Sequence, residues 1–280
     1  MALIILKNIK SAYKFVNENK NNSIALIPTM GALNEGHIAL IKKAKKECNI
    51  IIVSIFLNPL QFIKVEDIEK YPQNLENDKK LLEKSEADAL FIPSVEEMIA
   101  DDYSISLNID NKYIEYHKIL KAIYYKGIIT IMSKLFNIIS PTHVYLIEYD
   151  YQEVIIVKKM IKDLNYNISL KTIPIVRDEN MLAINCMNSL LSEREKEEAK
   201  IIYKLLKETR EEFKKGGTES SYLIDIIKNN LKPHKMLKLE YLDIIDKDTL
   251  KSIETATKNS IILISYYCGS TRLLDNMHLK

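Results

Sequence analysis

The sequence predicts an α/β fold in which a parallel sheet is followed by a smaller α+β domain. Over the first 175 residues, apolar runs alternate with amphipathic stretches. From about residue 178 the pattern changes to long charged helices followed by strand-like runs. Strand–helix alternation is typical of a parallel sheet with helices on both faces. We therefore predict one domain over 1–177 and a second over 178–280.

The predicted strands of the first domain are short runs rich in Ile, Val and Phe. They lie at 24–27, 50–57, 88–92, 143–147 and 168–174. The predicted helices have apolar residues at three- and four-residue spacing. They lie near 8–19, 37–48, 75–85, 116–139 and 150–164. Because ligands of such sheets bind beyond the carboxyl ends of the strands, we expect a binding site at that edge.

The second domain has a clear helix start. Ser192 is followed three residues later by Glu195, which is the spacing of a capping box. The helix that begins there is predicted over 193–215 and ends at a Gly-Gly pair. The remaining predicted elements are a helix near 219–230 and strands at 237–245 and 259–267.

Composition excludes several classes of protein. The 40 basic and 38 acidic side chains leave a net charge of +2, which argues against bulk attraction to nucleic acid. No apolar run approaches the roughly 20 residues needed to span a bilayer, and the five-residue apolar run in MALIILKNIK is too short for a signal peptide. Three widely spaced cysteines indicate neither a disulfide framework nor a metal site. We expect a cytoplasmic protein without nucleic-acid or membrane partners.

Two polar turns follow predicted strands. IPTMGALNEGH (27–37) runs from an apolar strand through a tight turn into a helix-like segment. A helix N-terminus of this kind presents backbone N–H groups that suit a phosphate. SIFLNPLQF (54–62) is a second apolar strand, and it breaks at Asn58-Pro59. Both turns are therefore candidates for the binding edge.

These turns and several later motifs resemble the pantothenate synthetases, also called pantoate–β-alanine ligases. The matching segments are PTMGAL with EGH, SIFLNPLQF, KYP, FIPSVEEM, KLFNIISP, KKMIKDLN and IPIVRDENMLA. They occur in the family's order and spacing over most of the chain, which is identified as a member. The resemblance implies a Rossmann-like sheet of the nucleotidyltransferase type, a smaller C-terminal lid domain and a homodimer.

The resemblance also implies a two-step reaction with ATP and Mg²⁺. ATP adenylates the carboxylate of pantoate with release of pyrophosphate, and the amine of β-alanine then attacks the acyl-adenylate. A carboxylate must approach a phosphate that already carries negative charge. Catalysis therefore depends on positioning and on cationic neutralisation.

Residues on the acid side of the family's site are mostly present. Asn58, Gln61 and Tyr71 match residues that hold or border pantoate, and Met30 lies in the matching turn. The family has a Gln-Gln pair whose second member contacts pantoate. Here the pair reads Gln152-Glu153, and Glu153 would repel a carboxylate unless it is protonated or paired.

Residues on the nucleotide side are largely replaced. The family's His-x-Gly-His begins with Asn34 here and ends with His37, and its Gly-Glu-Lys-Asp has Tyr149 in place of Lys before Asp150. The mobile Ser-Ser-Arg-Asn, which clamps the triphosphate, has become Asn185-Cys186-Met187-Asn188. The segment against the nucleotide, Gly-His-Phe-Asp-Gly, reads Ile123-Tyr124-Tyr125-Lys126-Gly127. We take His37, Asn34, Asp150, Tyr149 and Cys186 as the candidate catalytic positions. Cys186 would need a base to act as a nucleophile, and an inert small side chain is the simpler interpretation.

Three functions remain open at the level of sequence. The first is an amide-forming enzyme with changed chemistry, which uses ATP through a rebuilt site or takes an acyl group already activated as a thioester of coenzyme A or a carrier protein. The second is a non-catalytic paralogue that binds a ligand or partner. The third is an ordinary ATP-dependent pantoate–β-alanine ligase with unusual ligands.

Overall fold

The computed structural model describes residues 3–109 and 119–280. By internal contacts the chain divides into two compact units. The first unit comprises Met1–Glu148 and Ile156–Pro174, and the second comprises Tyr149–Ile155 and Ile175–Lys280. The domain boundary at 177/178 stays a prediction.

The first unit contains a six-stranded sheet in which every pair of neighbouring strands is parallel. Its strands are β1 (Ile4–Leu6), β2 (Ile24–Thr29), β3 (Ile50–Ile55), β4 (Ala89–Phe91), β5 (His143–Ile147) and β6 (Ser169–Ile173). Their order is β1-β4-β3-β2-β5-β6, so the direction of winding reverses between β2 and β5. Such a switch point is where open α/β sheets bind ligands, and the turn after β2 lies there.

Helices connect these strands. They are α1 (Ile9–Glu18), α2 (Glu35–Lys45), α3 (Val65–Glu69), α4 (Leu75–Glu83), α5 (Val95–Met98), α6 (Ile119–Ile139) and α7 (Tyr151–Asp163). The predicted parallel α/β fold is confirmed, although α6 was expected from 116 and residues 116–118 lie outside the described part of the chain. One apolar cluster between sheet and helices includes Ile27, Ile41, Val53, Leu82 and Tyr145.

The second unit is an antiparallel sheet packed with helices. Its elements are α8 (Glu193–Lys214), α9 (Ser220–Leu231), β7 (Leu237–Asp246), β8 (Ser260–Cys268) and β9 (Thr271–Leu279), with the strands in the order β7-β8-β9. The predicted capping box starts α8, since Ser192 Oγ accepts the Glu195 N–H and Glu195 Oε2 accepts the Ser192 N–H. The prediction that a smaller α+β fold follows the parallel sheet is therefore confirmed.

A buried ion pair crosses the second unit. The two guanidinium nitrogens Nη1 and Nη2 of Arg177 donate to the two carboxylate oxygens of Asp275 at 2.8 and 2.6 Å. The side chains are only 12% and 4% exposed. The guanidinium also lies over the ring of Tyr203, 4.3 Å from its centroid. This pair fixes β9 to Arg177, which lies near the start of the Ile175–Lys280 segment.

Two strands were not predicted. β1 is a three-residue run that the sequence shows only as a short apolar N-terminus. β9 places Asp275 and Asn276 at buried positions, which interrupts the apolar alternation of a strand. Within the described residues, no helix is long and apolar enough to cross a membrane.

Candidate active site

The turn after β2 is held in an unusual backbone conformation by a buried carboxylate. Gly31 and Ala32 have φ values of 91° and 52°, in the left-handed region. Asp78, 1% exposed, accepts the Ala32 N–H on Oδ2 at 3.0 Å and the Leu33 N–H on Oδ1 at 2.8 Å. Sequence reasoning missed Asp78, although it shares the apolar face of α4 with Leu82, which was the available signal.

Asn34 acts as the N-cap of α2. Its Oδ1 accepts the Gly36 N–H at 3.0 Å, and its own N–H donates to His37 Nδ1 at 3.1 Å. Because Nδ1 is the acceptor, the ring proton of His37 lies on Nε2. Burial lowers the pKa of His37 to about 4, so the imidazole is neutral at pH 7. The turn therefore offers an uncharged N–H donor and no imidazolium cation.

Asn58 and Gln61 lie together after β3. The register that pairs Thr29 with Ile55 brings the carboxyl ends of β2 and β3 side by side, so both turns lie at one edge of the sheet. Asn58 Nδ2 donates to Gln61 Oε1 at 2.8 Å and to the carbonyl of Gly127 at 3.0 Å. Asn58 is 1% exposed, and Gln61 is partly exposed.

Gly127 is in direct contact with this turn. A Cβ atom at Gly127 would lie 2.4 Å from the carbonyl oxygen of Leu60, which is a backbone clash. We expect Gly127→Ala to separate α6 from the turn and to lower the free energy of unfolding by about 2–4 kcal/mol, because overpacking against backbone cannot relax by a rotamer change. Urea unfolding measures this. Alanine favours a helix over glycine by about 1 kcal/mol, so a Gly127→Ala protein no less stable than the wild type would contradict the contact argument.

The other predicted positions of the first unit have weaker support. Tyr71 packs edge-to-face on Phe62, with ring centroids 6.1 Å apart, and Met30 is partly exposed in the turn. Tyr124 packs against Tyr125 with centroids 5.2 Å apart. The Lys126 side chain is exposed to solvent. Their substrate or nucleotide roles stay predictions.

Tyr149 is bonded within the second unit. Its hydroxyl accepts the N–H of Leu274 on β9 at 3.1 Å, and its carbonyl accepts from Asn276 Nδ2 at 3.2 Å. Burial raises the pKa of the hydroxyl, so the side chain is neutral. A tyrosine thus joins the start of α7 to β9, at the position where the resemblance expects a phosphate-binding lysine.

Asp150 and Glu153 form the first turn of α7. Asp150 Oδ1 accepts the N–H groups of Gln152 and Glu153 at 3.1 and 3.2 Å, so this carboxylate caps the helix. Burial, and then repulsion from Asp150, raises the pKa of Glu153 to about 8. Glu153 is therefore protonated at pH 7, and in that state it does not repel a carboxylate.

Glu153 makes the stability of the protein dependent on pH. The folded state keeps a proton that the unfolded chain loses above the ordinary pKa of 4.5, so stability is highest below 4.5 and falls as pH rises towards 8. We expect Glu153→Gln to remove this slope and to add about 3–4 kcal/mol to the free energy of unfolding at pH 7.5, relative to its effect at pH 4. Chemical denaturation at the two pH values tests this. Parallel pH profiles for both proteins would show that Glu153 is ionised in the fold.

The segment at which the resemblance expects a triphosphate clamp forms a short 3₁₀ helix, Cys186–Leu190. Asn185 caps it, accepting the Met187 N–H at 2.8 Å and donating Nδ2 to Asn188 Oδ1 at 2.7 Å. Met187 packs against the apolar core of the second unit. Cys186 is partly buried, and its role as a nucleophile stays a prediction.

Comparison with known proteins decides the family. A family model described as pantoate-beta-alanine ligase matches residues 4–278. The chain belongs to this family. The pantothenate synthetase of Clostridium botulinum strain Loch Maree is 38% identical over 275 residues, covering 98% of each chain. That of Thermosipho africanus is 36% identical and covers 97% of each.

Solved structures agree. The pantothenate synthetase of Thermus thermophilus has a TM-score of 0.93 at 27% identity, with 99% of each chain covered. The pantoate–β-alanine ligase of Francisella tularensis, complexed with beta-gamma ATP and β-alanine, has a TM-score of 0.83 at 30% identity and covers 99% of this chain and 98% of that one. The predicted family and the prediction of an amide-forming ligase are confirmed at the level of the pantoate–β-alanine ligase family.

Proposed function

We propose that the protein joins a small carboxylic acid to an amine, and that its activation of the acid by Mg-ATP is largely lost. One observation carries this proposal. At the positions that the resemblance assigns to the triphosphate, the side chains present serve the fold: Asn34 caps α2, Tyr149 holds β9 and Met187 packs against the core of the second unit. The triphosphate does not fit this set of residues, because none of the three carries a positive charge.

The expected loss of transition-state stabilisation is large enough to support the proposal. Removing one group that stabilises charge in a transition state costs about 3–4 kcal/mol, or a factor of about 10²–10³ in rate. The family's Lys, Arg and one His are absent together, and the remaining His37 is neutral. Even with strong non-additivity, adenylation is expected to fall far below a useful rate.

The acid side of the first unit supports retained recognition of an acyl group. His37 Nε2–H and the amide of Gln61 are uncharged donors at one edge of the sheet, and such donors suit a carboxylate or a carbonyl oxygen. In the proposed reaction an amine nitrogen attacks the carbonyl carbon of an acyl thioester. The C–N bond forms, the C–S bond breaks, the thiolate leaves, and it takes up the proton that the amine loses. Coenzyme A or a carrier protein would supply the thioester.

Two other functions have support of their own. An ordinary pantoate–β-alanine ligase is favoured by full-length relatives of that name at 36–38% identity. A non-catalytic paralogue is favoured by the structural use of Tyr149 and Met187. A homodimer stays a prediction, which analytical ultracentrifugation tests. A cytoplasmic location also stays a prediction.

Calorimetric titration with Mg-ATP, with and without pantoate, separates these functions. The Clostridium botulinum relative serves as the positive control. We expect no binding to the protein below millimolar ATP, no AMP or pyrophosphate, and amide formation when acyl thioesters and amines are screened. Micromolar ATP binding with release of AMP would overturn the proposal in favour of the ordinary ligase. Absence of turnover with every donor would favour the non-catalytic paralogue.

A further inference from the structure

The orientation of the Asn58 side chain is fixed by two backbone groups. The N–H of Leu60 lies 3.1 Å from Oδ1, and a backbone N–H can only donate. The carbonyl of Gly127 lies 3.0 Å from Nδ2, and a carbonyl can only accept. Rotating the amide by 180° would place Nδ2 against the Leu60 N–H, which is also a donor, and Oδ1 against the Gly127 carbonyl, which is also an acceptor. With 1% exposure, water cannot compensate for that mismatch.

The orientation of Gln61 follows from that of Asn58. Nδ2 has two protons, and Gly127 accepts one of them. The other points to the Gln61 side chain at 2.8 Å, where it requires an acceptor, which is Oε1. Gln61 Nε2 then faces away from Asn58. The partly exposed side chain thus presents its N–H groups to the edge of the sheet.

We propose that Asn58 is a positioning residue that sets the hydrogen-bond polarity of Gln61, so that the site takes a ligand group with acceptors only, a carboxylate or an acyl carbonyl oxygen. The orientation rests on the geometry of the first unit alone. The choice of ligand rests on the proposed function. The ligand contact expected of Asn58 from the resemblance is thereby assigned to Gln61, because both protons of Asn58 Nδ2 are used within the protein.

Asn58→Asp is the variant with the sharpest consequence. An aspartate at this position has only acceptors when ionised, so the Gln61 amide should turn over and donate Nε2–H to it. Gln61 would then present Oε1 to the ligand. The variant should disfavour acids and should give Gln61 a bonded amide proton, whereas in the wild type Gln61 Nε2 donates to none of the residues that the structure describes.

Solvent exchange of the side-chain amide protons tests the orientation without any ligand. The protein is labelled with ¹⁵N at Asn and Gln, and signals are assigned by their loss in Asn58→Asp and Gln61→Glu. In the wild type we expect slow exchange for both Asn58 protons and free exchange for Gln61. In Asn58→Asp we expect one Gln61 proton to slow by about tenfold or more. A protected Gln61 proton in the wild type, or unchanged Gln61 exchange in the folded variant, would overturn the proposal.

A second variant tests the orientation of the Gln61 amide if Asn58→Asp does not fold. Gln61→Ala should release one Asn58 proton to fast exchange, while the proton bound to Gly127 stays protected. Two protected protons in Gln61→Ala would overturn the proposal. Asn77→Asp, at an exposed asparagine of α4, controls for the change of charge alone.

Titration with pantoate as the probe tests the choice of ligand. We expect Asn58→Asp and Gln61→Glu each to weaken binding about 10- to 100-fold, and Asn77→Asp to leave it unchanged. Equal binding by all four proteins would overturn the ligand class. A wild type that binds no pantoate, with the exchange pattern as expected, would count against the proposed function and the ligand class while the orientation stands.

Discussion

The triple variant Asn34→His/Tyr149→Lys/Met187→Arg is expected to release pyrophosphate from ATP and pantoate at least about 100-fold faster than the wild type. It restores the three basic side chains that the resemblance assigns to the triphosphate. Arg adds bidentate contacts, and Lys adds a point charge at the phosphates. The gain should appear in kcat more than in KM, because the charge they neutralise grows in the transition state.

The same variant should be less stable. It gives up the cap on Gly36, the bond from Leu274 to Tyr149 and the burial of Met187, each of which contributes about 1 kcal/mol. The matched control Asn34→Ala/Tyr149→Met/Met187→Leu removes comparable contacts without adding charge. We expect it to lose stability and gain no activity. Equal pyrophosphate release by the two variants would show that the missing cations do not limit the reaction.

Asp275→Ala is expected to lower the free energy of unfolding by about 3–5 kcal/mol, the largest loss of any single substitution considered. The substitution leaves the Arg177 guanidinium buried, with the ring of Tyr203 on one face and no carboxylate. An uncompensated buried charge costs far more than the net contribution of the pair. Urea unfolding at pH 7 measures the loss.

A more exposed ion pair, between β9 and β7, provides the control. Arg272 donates to Glu240 at 2.8 Å, with side chains 35% and 37% exposed. Because water screens this pair, Glu240→Ala should cost only about 1–2 kcal/mol, which includes the hydrogen bond that Ser265 Oγ donates to Glu240. Replacing both members of the buried pair, as Arg177→Met/Asp275→Leu, should cost less than Asp275→Ala alone. If Asp275→Ala costs no more than Glu240→Ala, the buried pair does not hold β9.

Local pattern predicted most of the fold because the strands are continuous apolar runs. β5 was placed at its observed bounds, and α8 within one residue, since its capping box is a local signal. β9 was missed for a non-local reason. Asp275 is tolerated inside the second unit only because Arg177, 98 residues earlier, reaches it.

In the candidate site, too, local motifs predicted where residues lie but not which contacts they make. The motifs placed Asn34, Asn58 and Gln61 in turns that follow strands, and His37 at the start of the next helix. What each side chain does depends on partners that the motifs do not contain. Gly127 lies 69 residues from Asn58, and Leu274 lies 125 residues from Tyr149. The resemblance expects a lysine where this chain has Tyr149, but only the fold shows that the tyrosine bonds to β9.

The bond between Tyr149 and β9 has a consequence for synthesis on the ribosome. At about 5–20 residues per second, the 125 residues between Tyr149 and Leu274 take roughly 6–25 s to translate. During that time Tyr149–Ile155 has emerged, yet its partners on β8 and β9 do not exist. Tyr151 and Ile155, which later pack against Ile261 and Leu263, stay exposed as apolar surface on the nascent chain. This short segment can therefore complete its native packing only after β8 and β9 have been synthesised.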